Sequence, residues 1–219
     1  MLSTDQQARI NAAVADAERR TSGEIFCIYA RRASTYTETP VAYAAFASLL
    51  IPLAIVAVGL EPWNWAGGWR VTAPAPEAAV FAYALMQALT FLLTLALVSW
   101  RPLRLRLAPF PLKRARVHKL ALQQFLAKGL HETEARTGVL ILAAADERHA
   151  EIVADEGIYK RVQPEVWAEA LAALAAGLKR GDAGQGFEDA VRLCGEVLAK
   201  HFPPTAANPN ELPDTIAII

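Results

Sequence analysis

The chain predicts a discontinuous α/β domain, a mixed sheet sandwiched by helices, with a two-helix transmembrane hairpin inserted into it. Three observations carry this. Gly138 to Ala144 is an unbroken apolar run with Val139, Ile141 and Leu142, as expected of a strand buried on both faces. The polar triplet Asp146-Glu147-Arg148 follows, then a second strand candidate from His149 to Asp155, so the two read as a hairpin. Residues 39–60 and 78–100 carry no charged side chain at all, and at about 1.5 Å per residue each run is long enough to cross a hydrocarbon core as a helix.

Composition agrees with that division. Of 219 residues 54% are hydrophobic and the mean hydropathy is +0.22, high for a soluble protein, and the excess is concentrated in the two runs. The first 38 residues begin polar and alternate in charge, so they do not read as a secretory leader, and the first run is expected to stay as an anchor. The formal net charge is zero, which gives no call for nucleic acid. Cys27 and Cys194 match no metal-binding spacing and are expected to be buried free thiols.

In chain order, Ser3 with Gln6 three positions on has the pattern of a capping box, so a helix is expected over residues 3–20 with Ile10, Val14 and Ala17 on one face. Thr21-Ser22-Gly23 should end it, the glycine in a left-handed conformation. Glu24 to Ala30 then reads as a strand too apolar to be an open edge. The first apolar helix holds Pro52, where a kink is expected. The loop of residues 61–77 contains Trp63, Trp65 and Trp69, which together with Trp100 suit a membrane interface.

Residues 101–119 hold seven Lys or Arg and no acid, whereas the loop 61–77 sets Arg70 against Glu61 and Glu77. The excess of positive charge after the second run places both chain termini on the cytoplasmic side of a bacterial inner membrane, as a multi-pass protein. Arg101, Arg104, Arg106, Lys113, Arg114 and Arg116 are the candidates for contact with anionic lipid headgroups, with an acidic partner as the alternative. Residues 101–112 are expected to be a basic juxtamembrane linker.

A helix is next expected from Lys113 to Arg136, with Val117, Leu120, Ala121, Phe125 and Leu126 as its apolar stripe. Another begins near Pro164 and runs to about Lys179, and GDAGQG at residues 181–186 should break it before a last helix from Phe187 to His201. The tail of residues 203–219 is proline-rich and should run extended, its closing residues 216–219 serving as an edge strand. Residues 1–38 and 113–202 cannot bury their apolar faces separately, so they are expected to form one domain from which residues 39–100 depart and return.

The spacing of several of these features resembles the TPM domain family. The opening Leu2-Ser3 before a helix, the strand at Glu24, Thr137-Gly138-Val139-Leu140, the pair Glu147-Arg148, Gly157-Ile158 and the late Gly181-Asp182 with Gly186 fall where the family has them. The endings HFPP at residues 201–204 and NELPD at residues 210–214 are similar to a bacterial membrane-anchored branch. The resemblance implies a mixed sheet between helices. It implies functions that differ widely among members, from acid phosphatase activity and photosystem repair to modulation of a membrane receptor. Asp155-Glu156 stands where the family commonly has glycine.

Chemistry is sparse. Glu147, Asp155 and Glu156, with Asp146, are expected to gather at one end of the hairpin, where they would suit a divalent cation such as calcium. All five serines precede residue 100 and none adjoins a histidine, and His118, His131, His149 and His201 show no ligand spacing. Two functions follow as expectations. The first is a non-enzymatic, cofactor-free accessory or assembly protein bound to a larger membrane complex. The alternative is a membrane-tethered, metal-dependent acid phosphatase.

Overall fold

The computed structural model describes residues 2–60, 76–204 and 210–219. It divides into two compact units, residues 1–34 with 110–219 and residues 35–109.

The first unit begins with α1 (Thr4–Glu18), whose start is the capping box expected: the Ser3 hydroxyl accepts from Gln6 N at 3.2 Å and Gln6 Oε1 accepts from Ser3 N at 2.9 Å. Ser3→Ala removes one of these bonds and should cost about 1 kcal/mol, read as a small fall in the unfolding midpoint. Gly23 is not left-handed. Its want of a side chain matters instead because a Cβ there would lie 3.1 Å from both Leu198 methyls.

Four strands form the sheet: β1 (Glu24–Ala30), β2 (Gly138–Ala144), β3 (His149–Ala154) and β4 (Ala217–Ile218), in the order β3-β2-β1-β4. β1 runs parallel to β2, from Glu24 opposite Gly138 to Ala30 opposite Ala144, and parallel to β4, while β2 and β3 make the antiparallel hairpin. Apolar side chains fill both faces of the two inner strands because both faces are covered, which is why neither strand alternates. On one face Ile25, Cys27, Val139 and Ile141 pack with α1 and two late helices. On the other, Phe26, Ile28, Leu140 and Leu142 meet Val117, Ala121 and Phe125.

Those three belong to α2 (Phe110–Ala127), which is shorter at its far end than expected: Gly129 turns left-handed at φ 71° and a 3-10 turn, Leu130–Glu132, leads toward β2. Leu126 is exposed and Val117, Ala121 and Phe125 form the stripe. After β3, Asp155 caps a single turn, α3 (Glu156–Tyr159), and a 3-10 turn at Pro164–Trp167 opens α4 (Ala168–Arg180). The final helix, α5, spans Ala183–His201, four residues longer at its start than expected. GDAGQG is thus a breaker only at Gly181, at φ 81°, and Asp182 already caps α5 by accepting from Gln185 N. Gly186 lies inside α5 against Gly177 of α4, where a Cβ on Gly177 would fall 2.6 Å from the Gly186 Cα.

The second unit holds α6 (Glu38–Ala57), α7 (Pro76–Ser99) and α8 (Arg101–Leu107). The two long helices pack on each other. α6 continues through Pro52, and Pro40, Ala44, Ser48 and Pro52, spaced by four, are its buried line. On α7 Val98 is buried, while many other apolar side chains of both helices are exposed: Phe46 is 68% exposed and Leu93 71%. Ser48 donates to Ala45 O and Thr90 to Met86 O, so these hydroxyls are satisfied within their own helices. Residues 101–112 follow α7. Most of them are helical, in α8 and the first turn of α2, with Pro102 and Pro111 in first turns, where proline's missing amide hydrogen is harmless.

Candidate functional site

The acids expected to gather at the hairpin turn do not meet. Glu147 sits in the turn between β2 and β3, while Asp155 follows β3 and donates its backbone N–H to Gly138 O at the opposite end of the hairpin. Six strand residues lie between them, roughly 20 Å of extended chain. Each acid has local work. Glu147, buried, accepts from Ala33 N at 3.0 Å and so ties the turn to the segment leaving β1. Asp155, also buried, accepts from Glu156 N at 2.7 Å as the cap of α3. Glu156 is exposed and pairs with Lys160 at 2.9 Å, whose hydrogen bond and charge hold its carboxyl below the usual range. Among the described residues no group of three or more His, Cys, Asp or Glu is placed to hold a metal ion.

The basic residues fall in two groups. Arg101, Arg104 and Arg106 lie on α8 in the second unit, and Lys113, Arg114 and Arg116 lie in the first half of α2. Trp100, 67% exposed, precedes α8 and its carbonyl accepts from Arg104 N. Trp63, Trp65 and Trp69 lie outside the described residues. Cys27 and Cys194 are free and buried, and burial pushes both thiols up.

Two clusters emerge that the sequence did not announce. In the first, His149 and Glu151 alternate on β3 and so share the face covered by α2, where His118 Nδ1 lies 2.9 Å from Glu151 Oε1 and His149 Nε2 lies 3.8 Å from Oε2. Phe110 meets the His149 ring edge-on at 5.9 Å. Burial, helped by Arg114 and opposed by Glu151 and Glu147, lowers the His149 pKa. The i,i+2 pair His149 and Glu151 was the available signal, and its partner on α2 was not.

The second cluster fills a cleft of about 250 Å³ lined by Ala15, Glu18, Arg19, Glu24, Asn210 and Asp214. Glu18 accepts from Ile25 N at 2.8 Å, Glu24 accepts from Leu212 N at 3.2 Å, and both carboxyls are buried. Burial, with the neighbouring Glu24 and Asp214 charges, pushes Glu18 up to about 8 despite the Ile25 amide. Glu24 is raised chiefly by burial, against the amides of Leu212 and Glu211.

These features define a mixed four-stranded α/β domain interrupted by a pair of long apolar helices. Residues 111–197 match the family model of the TPM domain, the family to which the sequence resemblance points. The fold is that of a solved relative: the NMR structure of BA42 protein from the psychrophilic bacterium Bizionia argentinensis is similar with a TM-score of 0.58, at 20% identity, over 100% of this chain and 96% of that one. No curated protein matches the chain.

Proposed function

We propose that the protein is a membrane-anchored accessory or assembly protein of a larger complex in a bacterial inner membrane. The observation that carries this is the outward display of apolar side chains along both long helices, at mean hydropathies of 2.1 and 2.0. A water-facing surface of that size would be costly, and lipid or a partner's helices are its natural surroundings. Ala42 and Ala45 on α6 and Ala84 and Ala88 on α7 are exposed rather than spent on the seam between the two, so they leave room for a further helix to approach closely.

In this reading α6 and α7 cross as a hairpin with both chain termini cytoplasmic, and the arginines of α8, with Lys113, Arg114 and Arg116, contact anionic lipid. The α/β unit is then held at the membrane surface to engage the partner. The metal-dependent phosphatase reading drew on Asp146, Glu147, Asp155 and Glu156 gathering at one end of the hairpin, and the distance of Glu147 from Asp155 speaks against it.

Extraction of native membranes in a mild detergent, followed by affinity capture of the full chain, tests the proposal. A membrane protein should copurify in fixed proportion and survive a high-salt wash. Recovery of the isolated chain alone would overturn it.

A further inference from the structure

The C-terminal segment, residues 210–219, returns across the α/β unit. Leu212 N donates to Glu24 Oε2 at 3.2 Å, Ile216 N to Asn11 Oδ1 at 2.9 Å, and Ile219 N to Tyr29 O at 3.1 Å, while Arg31 N donates to Ile219 O at 2.8 Å. β4 pairs with β1 only at Ile28 and Tyr29, so the docked segment closes an edge of the sheet with few ladder bonds. Among its anchors is an unusual one. Asp214 lines one cleft with Glu18 and Glu24, whose side chains are both buried, so docking gathers three acids away from water. Buried among them, Glu18 keeps its proton well above the ordinary carboxyl range.

We propose that residues 210–219 are a proton-dependent strap, docked over β1 while the Glu18 carboxyl, buried in the cleft it shares with Glu24 and Asp214, holds a proton, and released when that proton is lost.

The surroundings of Glu18 favour this coupling from each side. Glu24 of β1 and Asp214 of the strap add negative charge, and Glu211 of the strap adds it to Glu24. Cys27 on β1 lies nearby as a neutral thiol. Arg19 lines the cleft, but its guanidinium is paired with Asp16 at 2.7 Å. The sign follows from the direction of the shift. A carboxyl raised in the docked state binds its proton more tightly there than in the released state, where water reaches it. The stabilisation is thus full below the ordinary value of 4.5 and is lost as pH rises through about 8. Glu24 acts in the same direction. Release bares the outer edge of β1, whose backbone groups are then free to take another strand. This inference does not rest on the proposed function.

Hydrogen exchange of the full chain in detergent micelles, compared at about pH 6.5 and about pH 9 after correction for intrinsic rates, tests it. Amides of residues 212–219 should lose about tenfold or more of their protection at the higher pH while those of β2 keep theirs. Glu18→Gln, which keeps an acceptor for Ile25 N and supplies a permanent donor to Asp214, should hold the strap docked at both. Asp214→Asn on the strap itself, which removes one of the neighbouring charges that raise Glu18, should shrink the pH response, and it decides the matter if the core variant does not fold. Equal protection of the wild-type strap at both pH values would overturn the proposal. So would a pH response unchanged in the variants, or a loss shared equally by β2.

Discussion

Gly177→Ala will lower the stability of the α/β unit by about 2–3 kcal/mol, seen as a shift of its urea midpoint. Alanine is the better helix former by about 1 kcal/mol, so on propensity alone the substitution would stabilise α4. Packing decides otherwise. The added Cβ would stand 2.6 Å from the Gly186 Cα, 2.8 Å from Asp182 O and 2.9 Å from Gly186 N, all backbone atoms that no rotamer change can move aside. Relief requires α4 and α5 to separate, and between them lie Leu174, Phe187 and Val191, which have no exposed surface. An unchanged midpoint would mean that the two helices are not in backbone contact.

Leu89→Arg tests the other unit. Leu89 is half exposed, near the middle of α7 (Pro76–Ser99). In lipid, arginine at the centre of a span costs about 3 kcal/mol on insertion scales, enough to move much of the chain out of the membrane. At a half-exposed site facing water the same change would cost little. The measurement is the fraction of the full chain resisting alkaline carbonate extraction. That fraction should fall severalfold for Leu89→Arg and stay unchanged for Leu89→Ile. If the arginine variant behaved like wild type, α7 would not be a span.

What could be read in the sequence and what could not divides along a physical line. Local patterns were legible. Ser3 with Gln6 marked the start of α1, the apolar run from Gly138 marked β2, and the charge-free runs marked α6 and α7. Contacts between distant segments were not. Gly186 reads as a helix breaker in sequence because its value depends on Gly177, a neighbour in space. Glu18 and Asp214 are separated by almost the whole chain, and nothing near Glu18 announces that a tail will fold over it. The misplaced cluster of Glu147, Asp155 and Glu156 had a different cause: a six-residue β3 carries Asp155 away from the turn, so nearness in sequence became distance in space.

The pairing of β1 with β2 carries a consequence for biosynthesis. Glu24 and its partner Gly138 are made at very different times, and at ribosomal speeds the interval is on the order of ten seconds. During it β1, wholly apolar but for Glu24, has no strand to join, while both long helices leave the ribosome. The nascent chain must therefore keep an adhesive strand from aggregating until residue 144 has emerged. If the helices insert in a membrane before the sheet closes, that interval is sheltered, and the order of events, membrane first and domain second, would then follow from the topology itself.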